Sequence, residues 1–106
     1  RALDAFDYGY PGVEVRDVLA GPVEAKSVDW VITNPPFRLA EEFILRALQT
    51  ARFGVAILAR AALLESVGRC RQIFTPHPPA IVAPFSERVP MLRGRLEKTA
   101  TTATSY

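Results

Sequence analysis

Apolar residues are concentrated in the middle of the chain, where consecutive segments follow different patterns. Residues 28–33 are rich in β-branched and aromatic side chains, which suit a buried strand, and two prolines that cannot donate to a ladder soon follow. Residues 39–52 repeat apolar positions at helical spacing. Residues 53–59 are almost continuously apolar, as in a strand buried on both faces. The pattern predicts a right-handed βαβ crossover, and hence an α/β fold with a mainly parallel sheet and flanking helices.

The other segments give shorter and weaker signals. Near the start, residues 2–3 are interpreted as the end of a strand with Asp4 at its tip, and residues 13–19 alternate only partially. Residues 60–66 and 69–74 are predicted to be two short helices separated by Gly68. Residues 80–85 are apolar and are predicted to be a third strand near an edge, ended by Pro84.

Composition limits the class of protein. The chain has 106 residues, of which 49% are hydrophobic, so one small domain with a core, or part of one, is expected. A net charge of +2 is too small to indicate a nucleic-acid partner by itself. The single cysteine excludes an internal disulfide, and no paired metal-ligand spacing is present. The chain shows neither a signal-peptide pattern nor an apolar run of about 20 residues, so we expect a cytoplasmic protein without a membrane partner.

The loop after the first central strand carries the strongest chemical signal. It reads Asn34-Pro35-Pro36-Phe37, and we call these four residues the motif loop. It places an amide, backbone carbonyls and an aromatic ring on a stiff segment at the carboxyl end of a strand, where open α/β sheets bind ligands. Asn-Pro-Pro is also an ordinary loop breaker. A hydrophobic strand before it and an amphipathic helix after it favour the functional interpretation.

The motif loop resembles the (Asn/Asp/Ser)-Pro-Pro-(Tyr/Phe) tetrapeptide of S-adenosylmethionine-dependent amino-methyltransferases, of which adenine-N6 DNA methyltransferases are the best known. The resemblance implies a Rossmann-like fold, S-adenosylmethionine as cofactor and DNA as partner. It implies catalytic roles for Asn34, Pro35, Pro36 and Phe37. In particular, the Asn34 side-chain oxygen and the Pro35 carbonyl would accept the two N–H groups of the target amine. Phe37 would also bind the substrate, by stacking on a base turned out of the duplex. Relatives with this motif methylate RNA bases or a protein glutamine, so both acceptors stay open.

The resemblance also indicates which acids would bind the cofactor. Asp4, at the tip of the first strand, matches the acid that receives the ribose hydroxyls, and Asp7 is the second choice. Asp17 resembles an acidic residue that contacts the cofactor's adenine. The alternatives are that Asp4 and Asp7 are solvated loop acids and that Asp17 caps a turn.

Arginines suggest where a substrate would be held. Arg88 lies in a polar loop, residues 86–95, that corresponds in the family to a substrate-facing segment. A second, local group consists of Arg60, Arg69 and Arg71, which suit either phosphate contact or a solvated surface.

The glycines argue against a complete enzyme. None of them forms a Gly-x-Gly pair after an apolar strand, although the family needs such a turn beside its cofactor. We therefore expect residues 1–106 to be a partial catalytic domain without the front strand and its glycine-rich turn. The alternative is a non-catalytic remnant that acts as a DNA-binding or subunit-interaction module. Apolar sheet surface left open by a missing strand would favour self-association.

Overall fold

The computed structural model describes residues 1–86 and, further on, the strand backbones of residues 89–90 and 103–104. The described chain is a small α/β fold whose strands pair in twos. The strands are β1 (Ala2–Asp4), β2 (Val13–Val15), β3 (Val28–Thr33), β4 (Ala51–Ile57), β5 (Val89–Pro90) and β6 (Ala103–Thr104). The helices are α1 (Ala40–Thr50) and α2 (Val67–Arg69), the 3₁₀ helices Phe37–Leu39 and Ala61–Leu64, and the π-helix Cys70–Phe74.

The chain forms two compact units, one made of residues 1–32 and 42–56 and the other of residues 33–41 and 57–106. In the first unit β1 and β2 are parallel, with Ala2 opposite Val13 and Asp4 opposite Val15. The loop between them turns at Gly9 and Gly12, whose φ angles of 74° and 83° are in the left-handed region that favours glycine. The parallel pair confirms the predicted α/β class; the Rossmann-like arrangement stays a prediction.

The predicted strand–helix–strand order of the central segment is confirmed, while the right-handed crossover stays a prediction. Strand β3 ends at Thr33, immediately before the motif loop, and β4 is its hydrogen-bonded neighbour. The buried residues Ala40, Ile44 and Ala47 lie three or four positions apart, so they form one face of α1, and Ala51 continues the same spacing. Small alanines dominate this buried face, while Leu39, which the pattern also included, remains 38% exposed.

Helix α1 ends at Thr50 instead of residue 52, because a residue far away in sequence caps it. The Lys26 N–H donates to the Gln49 carbonyl at 3.0 Å, and the Lys26 ammonium donates to the Leu48 and Ala51 carbonyls at 3.2 and 2.8 Å. A cation suits the negative end of the helix dipole. Lys26 itself adopts a left-handed φ of 52°. The chain therefore passes directly from α1 into β4.

The prediction that β3 and β4 are deeply buried is wrong. Trp30 is 59% exposed, Ile32 80% and Phe53 74%. The reason is that, among the described residues, this sheet has two strands, so these side chains lack the cover that further strands would give. The Trp30 ring instead lies over Gly54, where a Cβ atom would collide with it.

The second unit differs from the prediction in two segments. Gly68 does not separate two helices: it lies inside α2, which Ser66 caps by accepting from the Arg69 N–H, and the π-helix follows without a break. Residues 80–85 form no strand and are irregular, with Ile81 exposed. Prolines before this segment and at Pro84 lack the N–H groups that a ladder needs.

Within the described part of the chain, no helix has the length and apolar character required to cross a bilayer.

Candidate functional site

The motif loop is held by its backbone on both sides. Before it, the Thr33 carbonyl accepts from the Leu58 N–H at 3.0 Å, which ties the end of β3 to the residue after β4. After it, the Pro36 carbonyl accepts from the Leu39 N–H at 2.9 Å and starts a 3₁₀ helix. Pro36 has φ −55° and ψ 130°, an extended conformation that its ring favours. The loop is therefore fixed without using the Asn34 side chain.

The two acceptors implied by the resemblance remain available. Asn34 is exposed, and among the described residues no hydrogen bond uses its side chain. The Pro35 carbonyl is likewise not used within the described chain, whereas the Pro36 carbonyl is. The Pro35 residue is buried, which anchors the loop. An uncharged amide oxygen on a fixed backbone can accept an N–H from a ligand without first breaking a protein hydrogen bond.

Phe37 is partly exposed and is covered by a cation that sequence reasoning did not connect with it. The Arg60 guanidinium carbon lies 3.9 Å from the centroid of the Phe37 ring, within the range of a cation–π interaction. Phe37 remains 41% exposed, and Arg60 is exposed as well. The two residues are distant in sequence, and they meet because each closely follows one strand of the β3–β4 pair.

In the first unit, a cavity contains two of the acids proposed for cofactor binding. It has a volume of about 130 Å³, and we call it the aromatic cavity. Its lining consists of Asp4, Phe6, Asp7, Tyr8, Tyr10, Val13 and Val15. A carboxylate beside aromatic rings, at the carboxyl end of a parallel strand, suits a ribose hydroxyl pair and a planar base.

All three candidate acids cap their own loops. Asp4 Oδ1 accepts from the Phe6 N–H at 2.9 Å, and Asp7 Oδ1 accepts from the Gly9 N–H at 2.8 Å. Asp17 Oδ1 accepts from the Leu19 N–H at 2.9 Å, so the turn-capping alternative for Asp17 is confirmed. Asp17 does not line the aromatic cavity. Its cofactor role stays a prediction.

S-adenosylmethionine fits these residues only in part. Asp4 uses one carboxylate oxygen for the Phe6 N–H, and no hydrogen bond of the described residues uses the other. That oxygen suits a ribose hydroxyl, and Tyr8 or Tyr10 suits the faces of a purine. However, a site for a whole drug-sized molecule has a volume of about 300 Å³ or more. The aromatic cavity is therefore too small to hold the whole cofactor.

The predicted arginine group is divided between different contacts. The Arg69 guanidinium donates to the Leu63 carbonyl at 2.8 Å and to the Ala62 carbonyl at 2.9 Å, so it stabilises the end of a 3₁₀ helix. Arg60 covers Phe37, while Arg71 is exposed. Arg88 lies outside the described residues, and its substrate role stays a prediction.

A further group of charged residues lies in the first unit. Arg1, Glu14, Arg16 and Glu24 form an ion-pair network in the first unit. The pKa of Glu24 is lowered, first by the hydrogen bond that Glu24 accepts from Arg16 and then by the charges of Arg16 and Arg1. Among the described residues, no three His, Cys, Asp or Glu side chains are grouped to hold a metal ion.

No protein-family model, no curated protein and no solved structure matches this chain.

Proposed function

We propose that this chain is part of a Rossmann-like, S-adenosylmethionine-dependent N-methyltransferase that methylates the exocyclic N6 amine of adenine in DNA. The observation that carries the proposal is the exposed Asn34 amide, which makes no described hydrogen bond and lies on a loop fixed by its own backbone. The motif sequence is the second support, because Asn34-Pro35-Pro36-Phe37 resembles the tetrapeptide of these enzymes.

The proposed chemistry follows from the acceptors. An exocyclic amine on an aromatic ring is a weak nucleophile because its lone pair is delocalised into the ring. The Asn34 oxygen and the Pro35 carbonyl would each accept one N–H and favour a tetrahedral nitrogen with a localised lone pair. Phe37 would stack on the base and hold the amine in position. Neutral acceptors suit this task because they leave the amine its protons until the methyl group is bound.

The cofactor would be held by the first unit in this proposal. Asp4 would accept the ribose hydroxyls, and the aromatic side chains of the aromatic cavity would contact the adenine. When bound, S-adenosylmethionine supplies an electrophilic methyl group. Asp17 is a further proposed contact, for which the turn it caps would have to open or share its carboxylate.

A methyl-transfer assay on the complete protein and its Asn34 variants tests the proposal, because this chain is proposed to be only a part of the enzyme. Asn34→Ala should reduce transfer to duplex DNA by about 10²- to 10³-fold, the range for removing one oriented hydrogen-bonding group. Asn34→Asp keeps an acceptor that the tetrapeptide allows and should retain more activity than the alanine variant. The control is Gln72→Ala, which removes another exposed amide from the same unit. Equal rates for wild type and Asn34→Ala would refute the proposed role.

The same assay decides between acceptors. Duplex DNA, RNA and a glutamine-bearing protein are offered separately, with labelled S-adenosylmethionine as donor. Transfer to RNA or protein alone would support methyl transfer as the reaction but refute DNA as the substrate. Absence of transfer to all three, together with DNA retardation at low salt, would favour the non-catalytic DNA-binding module instead.

A further inference from the structure

We propose that Arg60 is a substrate-binding residue that occupies the stacking face of Phe37 at rest and then moves to a phosphate of the bound strand. The inference rests on the proposed function and deepens it, because it selects nucleic acid over a protein glutamine as the substrate class. It is carried by the position of the Arg60 guanidinium, 3.9 Å from the Phe37 ring centroid.

The geometry makes Arg60 a planar cation at the edge of the motif loop. Arg60 comes shortly after β4, in an extended conformation with φ −62° and ψ 143°, and its carbonyl starts the next 3₁₀ helix by accepting from the Leu63 N–H. Its backbone is therefore fixed beside the motif loop, since the Leu58 N–H is bonded to the Thr33 carbonyl. Its guanidinium, in contrast, makes no hydrogen bond among the described residues.

The guanidinium and a purine base would compete for the same ring face. Both are flat, and both are attracted to the face of an aromatic ring, the cation through the ring quadrupole and the base through stacking. A cation–π contact at an exposed position is weak, so a stacking base can displace it. Arg60 thus shields Phe37 from water until a base arrives.

A displaced guanidinium would still lie at the rim of the loop, and none of its five donors is used by another described residue. A base that enters the loop is attached to a sugar and two phosphates, and a phosphate matches the arginine fork. A glutamine side chain carries no such group. Arg60 therefore favours a nucleotide substrate. Because it would contact a phosphate of the nucleic-acid backbone, it gives no preference for base sequence.

Oligonucleotide binding to the full chain at several salt concentrations tests the inference. The probes are fluorescein-labelled oligodeoxyadenylate and an abasic deoxyribose-phosphate strand of the same length. If Arg60 contacts one phosphate, Arg60→Gln should lower the magnitude of the slope of log K against log salt by about 0.7. Arg60→Lys keeps the charge and should keep the slope. Arg71→Ala removes the same charge elsewhere in the second unit and serves as the control.

The base-dependent part of binding tests the competition for the ring. Phe37→Ala should remove most of the preference for oligodeoxyadenylate over the abasic strand. Arg60→Gln should raise that preference about two- to tenfold, because the guanidinium no longer competes with the base for the ring. Equal salt slopes for wild type and Arg60→Gln, or a slope lost equally in Arg71→Ala, would overturn the inference. Melting curves confirm that each variant is folded.

Failure of this inference differs from failure of the proposed function. Binding is measured without cofactor, so it does not depend on methyl transfer. If the salt slopes are unchanged but transfer to DNA depends on Asn34, the proposed function is supported and the role of Arg60 is refuted. If Arg60→Gln lowers the slope but no acceptor is methylated, Arg60 binds an anion and the proposed enzyme activity is refuted.

Discussion

The loops that follow β1 and β2 are held differently from the motif loop that follows β3. In the first two loops, Asp4, Asp7 and Asp17 each accept a hydrogen bond from their own loop backbone. An ion-pair network also joins Arg1 and one residue of β2 to two residues of the loop after β2. In the motif loop, two prolines and backbone hydrogen bonds fix the chain, and none of the four residues is ionisable. Both arrangements give an ordered loop after a strand.

The difference concerns which polar atoms are left for a ligand. A carboxylate that caps its own loop stabilises the fold and has only its remaining lone pairs to offer. A proline restricts the backbone covalently, so the neighbouring amide need not cap anything. Asn34 is consequently available to a ligand, whereas Asp4 has to serve both the loop and any ribose. This comparison predicts that replacing Asn34 affects ligand contacts with little change in stability, whereas replacing Asp4 affects both.

The largest expected effect on stability comes from replacing Asp4 by alanine, and the same replacement of Asn34 gives the comparison. Asp4→Ala should lower the free energy of unfolding by about 1 kcal/mol, because the Phe6 N–H loses its acceptor. Asn34→Ala should change it by less than about 0.5 kcal/mol, as expected for an exposed side chain that bonds to no other described residue. Urea titration followed by circular dichroism measures both values.

Asp4→Asn is the control for this pair. It keeps an oxygen for the Phe6 N–H but removes the charge, so it should be close to wild type in stability. If Asn34→Ala proved as destabilising as Asp4→Ala, the separation between the two loops would not hold.

A smaller effect is expected when the covalent restraint of the motif loop is relaxed. Pro36→Ala can keep the observed φ of −55°, so its main consequence is a more disordered unfolded chain. The free energy of unfolding should fall by about 0.4–1 kcal/mol. The rate of methyl transfer should fall as well, because Asn34 would be less well oriented. Calorimetry measures the free energy of unfolding, and the DNA methylation assay measures the rate of transfer. If neither value falls, the backbone hydrogen bonds alone hold the loop.

The smallest effect concerns pH and is confined to the ion-pair network. The Arg16 hydrogen bond lowers the folded-state pKa of Glu24 below its ordinary value of 4.5, so the ionised form is favoured by folding. This stabilisation is present above pH 4.5 and is lost as the pH falls through the lower folded-state pKa. Glu24 is exposed, so added salt should weaken the effect.

Thermal melts of wild type and Glu24→Gln between pH 3 and about pH 6 measure this dependence. The variant should show a smaller loss of melting temperature on acidification than wild type. Identical pH dependence of the two proteins would remove Glu24 from the network's contribution to stability.

Local rules predicted the motif loop and its neighbours well. Strand β3 ends at Thr33 as expected, because two prolines close behind it act through sterics that no tertiary contact can override. The position of α1 was predicted from spacing, since Ala40, Ile44 and Ala47 are the buried face. Its last turn was placed two residues too late because Lys26, which caps it, is distant in sequence.

Non-local features escaped the sequence pattern. The apolar run of residues 53–59 predicts a strand, but it does not show how many strands lie beside it. Phe53 is therefore expected to be buried and is instead exposed. The contact between Arg60 and Phe37 depends on two neighbouring strand ends, which periodicity does not connect. The apolar pattern of residues 80–85 predicts a strand, although Pro84 within the segment and Pro79 directly before it oppose one.

The packing of Trp30 over Gly54 gives the protein an optical label of its own. Trp30 is the only tryptophan of the chain, and it lies on the strand that leads directly into the motif loop. Its indole fluorescence therefore comes from one place, with one side of the ring against backbone and much of the rest in water. A change in its emission or in its quenching by iodide would report a rearrangement of β3 without any introduced dye. The strand before the proposed site can thus be followed in solution in the unmodified protein.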